Sequence, residues 1–413
     1  MDCPFSDSLI LAGGTLFAGG DGSAKGYDVS NGSEVWSSTF EGKARGLAAA
    51  NGNLFLTTDK GAIHCFGGTA KTAPRQTAPQ TVDAPYPADA TAQRLAKTAE
   101  RIVNDSGIRQ GFALVTGGGN GQLAYEIAKR TDDLLIHVVE PDAERASAAR
   151  RLLTRAGVHG GKVVVLNAGF DTIPYADYFA NLIVCEDSLD GSAPGLSVAE
   201  LMRMLKPCGG KAYFGNPSAA KPSGALTGWV KAVQSLLDAD QDKATTVSLN
   251  GGAGAITRGK LPGAGTWTHQ YGTPGNTASS SDTAVRAPIG ILWYGEPGPG
   301  RMPSRHASNA APLSVNGRFF VQGENVIMTH DAYNGTKLWE REIPGALRTG
   351  LKSRCSNLVA REDSLFVVAG GKCQRLDADT GETIQTYKVP LGEGKGTGNW
   401  GEYVACVGDL LFG

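Results

Sequence analysis

The sequence predicts a multidomain chain in which β-propeller blades, four-stranded and about 45 residues each, flank an inserted α/β domain. Three observations carry this. A turn motif preceded by short apolar strands recurs near both ends, the recurrence breaks off after Phe66, and strand and helix alternate in between. The expected layout is N-terminal blades over 1–68, a Pro/Thr/Ala linker over 69–87, the α/β domain over 88–262, a connector over 263–288 and C-terminal blades over 289–413.

The 413 residues include 57 glycines, densest where short strands need turns. Charge cancels, with 39 basic against 40 acidic residues, so no whole-chain field favours nucleic acid. Seven scattered cysteines without a C-x-x-C pair indicate neither a zinc knuckle nor a disulfide framework, and the six histidines show no metal-ligand spacing, so no metal is expected. No stretch approaches the roughly 18 apolar residues of a membrane span, and the start lacks the pattern of a signal peptide. The end, Val407 to Gly413, reads as a strand in progress, which suggests a segment of a longer protein.

The repeat is D-x-x-x-G-x-x-x-W, beginning at Asp28 and Asp331, with a third copy at Asp377 in which Gln385 replaces the tryptophan. About 45 residues separate the apolar strands opening at Arg318, Ser364 and Asp409. The aspartate can accept from amides of its own turn, the glycine supplies a positive φ, and the tryptophan can close one blade against the next. Four blades and the opening strand of a fifth are recognisable. This signature resembles the quinoprotein propeller repeats of the pyrroloquinoline quinone type, over roughly 9–66 and 289–413. The resemblance implies eight blades around quinone and calcium in an active member. The smaller blade count here and the lack of an adjacent cysteine pair argue against a bound quinone. The stretch from Trp267 to Ser281 resembles the segment that precedes such blades, Ile289 to Trp293 is expected as a blade strand, and Gly295 to Arg305 as a loop that could line a binding face.

In the middle, Asp89 to Ser106 has helical spacing of Leu95, Ala99, Ile102 and Val103, ended by Gly107. Phe112 to Thr116 is an apolar strand, followed by Gly117, Gly119 and Gly121, a helix over 122–130 and a second strand ending in Glu140. This βαβ unit is Rossmann-like: glycines let a ligand approach the helix N-terminus, and a carboxylate about 20 residues on can accept from ribose hydroxyls. Further strands are read at 162–166, 182–186 and 211–215, a helix at 198–206, and a terminal hairpin over 245–258.

Glu200 to Gly210, reading E-L-x-R-x-L-K-P-x-G-G, resembles class I S-adenosylmethionine-dependent methyltransferases. That family would place the cofactor on Gly117, Gly119, Gly121 and Glu140. Its other acidic positions fall at Val115, Gly169 and Asn181, and Asp171 is the nearest substitute for contact with the adenine amino group. Glu186 and Asp187, just past the fourth strand, are the candidate catalytic carboxylates, or else a solvated turn. Tyr175 and Tyr178 read as pocket lining or loop packing, and His137 as a core histidine. The expected function is therefore S-adenosylmethionine binding, with possible methyl transfer to an unknown acceptor. The alternative is a non-enzymatic scaffold whose propeller face meets a protein or glycan. Quinoprotein-like propellers are commonly exported whereas S-adenosylmethionine is cytoplasmic, so the sequence leaves the compartment open.

Overall fold

The computed structural model describes residues 7–67, 81–171, 173–295, 301–302, 309–347, 357–391, 396–401 and 403–413. Much of the expected 69–87 linker and of the Gly295 to Arg305 loop, with Cys3 and Cys355, lies outside the described residues. The chain divides into two compact units, Met1–Ala78 and Pro79–Gly413.

The first unit is a six-stranded antiparallel meander: β1 (Ser8–Ala12), β2 (Thr15–Gly19), β3 (Asp21–Asp28), β4 (Glu34–Ala50), β5 (Asn53–Thr58) and β6 (Ile63–Gly67). Where the sequence suggests separate blades, the structure joins them through β4, which pairs with β3 over its first part and with β5 from Ala44 onward. The Asp28 turn forms as the motif requires: Oδ1 accepts from Ser30 N at 2.8 Å, and Gly32 takes φ 72°. Trp36 packs edge-on against Phe17 and Phe66 over a small core of Ala24, Ala44 and Leu56.

The second unit opens with an α/β domain: α1 (Ala90–Ser106), β7 (Gln110–Thr116), α2 (Gln122–Ala128), β8 (Asp133–Glu140), α3 (Ala143–Arg155), β9 (Val163–Asn167), β10 (Leu182–Cys185), α4 (Val198–Met204), β11 (Lys211–Gly215), α5 (Gly224–Ala239), β12 (Thr246–Asn250) and β13 (Ala253–Thr257). Asp89 and Gly107 cap α1, the latter at φ 68°. The sheet order is β12-β13-β11-β10-β7-β8-β9, parallel except for β12 and β13. Neighbouring residues of each central strand serve opposite cores: Ala113 and Val115 face α1 to α3, whereas Leu114 joins Ile183 and Phe214 under α4 and α5.

Between β9 and β10 a loop takes the place of a helix. Tyr175 and Phe179 stack with centroids 4.5 Å apart against His137, whose Nδ1 lies 2.8 Å from the Tyr175 hydroxyl. Arg203 fastens this loop, donating to the carbonyls of Ile173 and Tyr175 and pairing with Glu200. Tyr175 is therefore loop packing, and burial lowers the His137 pKa to about 4.

Two four-stranded antiparallel sheets follow, β14 (Leu313–Val315) to β15 (Arg318–Gln322), β16 (Val326–Asp331) and β17 (Lys337–Glu342), then β18 (Leu358–Ala360), β19 (Ser364–Ala369), β20 (Lys372–Asp377) and β21 (Thr383–Tyr387). Hairpins β22 (Val389–Pro390) with β23 (Thr397–Gly398) and β24 (Ala405–Val407) with β25 (Leu410–Phe412) complete the described strands. The repeat logic is visible here. The Trp339 indole donates to Ala378 O at 3.0 Å beside Gly381 of the next sheet. Trp293 does the same for the first sheet, donating to Ala332 O at 2.9 Å beside Gly335. Residues 289–293, expected as a strand, form none; the Trp293 indole docks this segment, and Ile289 and Ile291 stay exposed.

The α/β domain meets the first of these sheets at the N-terminal edge of β10 and β11. Asn334, in the Asp331 turn, donates to Phe179 O and to Asn181 Oδ1 at 2.7 Å, which also accepts from Phe112 N. Lys206, from the K-P segment, pairs with buried Asp331 at 2.7 Å and donates to the carbonyls of Pro207 and Cys208. Tyr178, another pocket candidate, packs against Tyr333 in this contact.

The connector stitches the first strands together. Trp267 bridges Ser314 in β14, Thr268 O accepts from Ala360 N in β18, and His269 Nε2 accepts from Cys406 N in β24.

Candidate functional site

The C-terminal edge of β7, β8 and β10 carries the residues singled out from the sequence. Gly117, Gly119 and Gly121 all have positive φ, at 60°, 51° and 81°. Each fits a chain that reverses sharply from β7 into α2, tied by Gly117 N to Val139 O and Gly121 N to Gly118 O. A side chain at 117 would run into Asp187, so this glycine is required by packing as well.

Glu140 ends β8 with a carboxylate that is already engaged. Oε2 accepts from Gly119 N at 2.7 Å and Oε1 from Asp142 N at 3.0 Å, and the residue is 3% exposed. Asp187 is also held on both oxygens, by the Thr116 hydroxyl at 3.2 Å and Gly195 N at 2.6 Å. Burial raises its pKa, which the Gly195 and Thr116 bonds oppose.

Glu186 differs. Its Oε2 is buried and has no hydrogen-bond partner. Burial, and then the neighbouring Asp187 and Glu140 carboxylates, push its pKa up to about 8. A carboxyl poised near neutral pH without a structural partner is suited to taking or giving a proton.

Glu186 and Asp187 line a cavity of about 300 Å³ with Gly117 and Gly119. Thr91, Arg94 and Leu95 of α1, Asn120, Gln122, Leu189 and Asp190 complete its wall. Tyr86 pins the turn from outside the wall, donating to Asn120 O at 3.0 Å. Four of the predicted residues, Gly117, Gly119, Glu186 and Asp187, thus share one cavity wall, and Glu140 joins them through its bond to Gly119 N. The exposed Asp171 is apart from the cavity wall, and Asn181 lies at the opposite edge in the blade contact. Sequence reasoning missed Arg94, because its helix precedes the glycine strand and only the folded sheet brings α1 over the turn. Among the described residues, no group of three or more His, Cys, Asp or Glu side chains is arranged to hold a metal ion.

Among curated proteins no relative matches the chain. In solved structures, the chain is similar to a candidate S-adenosyl-L-methionine-dependent methyltransferase of Methanococcus maripaludis, 22% identical over 41% of this chain and 86% of that one, with TM-score 0.34. It is also similar to a SAM-dependent methyltransferase of Aquifex aeolicus, 16% identical over 40% of this chain and 96% of that one, with TM-score 0.30. The family model described as outer membrane protein assembly factor BamB matches residues 20–169 and 295–410, so its first segment runs on through β7, β8 and β9. Those spans make up more than half of the chain and include the repeat turns at Asp28, Asp331 and Asp377, and the chain belongs to this PQQ-type propeller-repeat family.

Proposed function

We propose that the α/β domain is a class I methyltransferase-like insertion that binds S-adenosylmethionine at the C-terminal edge of its sheet and serves methyl transfer to an acceptor entering the same cavity. The observation that carries this reading is Glu186 Oε2, a buried and unpartnered carboxyl oxygen beside a glycine turn. S-adenosylmethionine supplies a methyl group already activated on a sulfonium. The backbone at Gly117 and Gly119 lets a ligand approach closely, and Glu140, beside them through its bond to Gly119 N, supports the reading as an acceptor for ribose hydroxyls once that bond opens. Glu186 takes the acceptor's proton at Oε2, a role its raised pKa suits as pH approaches 8. Isothermal titration of the full chain with S-adenosylmethionine tests the reading. Saturable heat is expected, and a folded sample silent at millimolar ligand overturns it.

One observation favours a second reading. The oxygens of Glu140 and Asp187 are all spent inside the chain, as suits a nucleotide fold kept for shape beside a propeller that meets a protein or glycan. On that reading Glu140→Ala leaves the physiological role intact.

A further inference from the structure

The cavity wall carries groups of both charges. Glu186, Asp187 and Asp190 stand on the β10 side and Arg94 on the α1 side. Arg94 is exposed, and among the described residues no hydrogen bond or ion pair holds its guanidinium. It is close enough to Glu186 to favour that carboxyl's ionised form. The acidic side is not equivalent throughout, because both Asp187 oxygens are bonded within the chain and Asp190 holds Ser192 N, whereas Glu186 Oε2 is unspent. A guanidinium without a partner of its own on the wall of a small cavity is complementary to a carboxylate. The guanidinium fork matches a carboxylate in two parallel bonds.

We propose that Arg94 is the specificity-determining residue of this cavity, taking the carboxylate of a ligand's amino-acid end. This rests on the S-adenosylmethionine reading and adds to it. Val115, where the resembled family carries an acid, is fully buried in the core and offers no charge, so charge recognition passes to α1 and to the end of β10. Arg94 is then the cavity's one basic wall residue, and its removal strips selectivity for the amino-acid end without touching the adenosine contacts.

The test compares two uncharged-sulfur probes on the full chain by isothermal titration: S-adenosylhomocysteine, which has the amino-acid end, and 5′-methylthioadenosine, which lacks it. Wild type is expected to prefer S-adenosylhomocysteine by about tenfold or more, the scale of a charge-assisted bidentate pair. Arg94→Met should erase that preference and leave 5′-methylthioadenosine binding unchanged, with Arg94→Lys in between. An unaltered preference in Arg94→Met, or an equal loss for both probes, overturns the role of Arg94 while leaving the binding reading standing. If wild type binds neither these probes nor S-adenosylmethionine, both readings fall together. Arg94 is exposed on the surface of α1, so the variant keeps the helix's buried face.

Discussion

The two edges of the α/β sheet use buried polar groups in opposite ways. At the N-terminal edge the groups of the contact are heavily shared: Lys206 has a carboxylate and two carbonyls, and one Asn181 oxygen serves two donors from different parts of the chain. At the C-terminal edge Glu140 and Asp187 are satisfied locally, but Glu186 keeps a buried oxygen without a partner. Full pairing makes a joint between domains, whereas an unpaired carboxyl stores free energy that a ligand or a proton can release.

The largest effect that would break this contrast is at the joint. Lys206→Met leaves Asp331 buried without its cation and should cost about 3–5 kcal/mol in denaturant unfolding. The double variant Lys206→Met with Asp331→Asn should lose much less, since no charge then stays buried and the turn keeps its acceptor. A single variant as stable as wild type would show that the edge is not a joint. Next, Asn181→Leu strands the Phe112 amide and takes one of two acceptors from the Asn334 amide, and roughly 1–3 kcal/mol should be lost.

At the other edge the sign reverses. The unfolded glutamate ionises near pH 4.5 while folded Glu186 holds its proton up to about 8, so the native state binds more protons in that window and its stability falls as pH rises. Glu186→Gln removes the penalty. Its melting temperature should exceed wild type at pH 8 and match it at pH 4, read from thermal scans; a variant destabilised at pH 8 would mean that Glu186 has a partner after all. The smallest effect lies on the sheet face between the edges. His137 titrates near 6.5 unfolded and at about 4 folded, so stability declines as pH drops from 6.5 towards 4, and His137→Phe should shallow that slope.

Much of the α/β domain was legible because its signals are local. Strand β11 occupies the residues read from its apolar run, and α1 begins at the aspartate that caps it. Helix α5 escaped notice although Ser223 caps it and Leu226, Val233 and Leu237 share its buried face, because glycines at 224 and 228 weaken its apparent propensity. What stayed hidden was pairing between distant segments. Asp331 reads as a turn residue, and its Oδ1 does cap the turn, but its other oxygen receives Lys206 from a different motif. In the site, the glycines and Glu140 follow from spacing, whereas the engagement of Glu140 by Gly119 depends on how the loop settles, and Arg94 reaches the cavity only through tertiary packing.

The connector also bears on the order in which the molecule is made. Trp267, Thr268 and His269 leave the ribosome before β14, β18 and β24, the strands to which they bond. Each of these three sheets therefore finds a waiting partner for its first strand and can be captured as it emerges, so that they accrete in the order of synthesis on a short template laid down ahead of them.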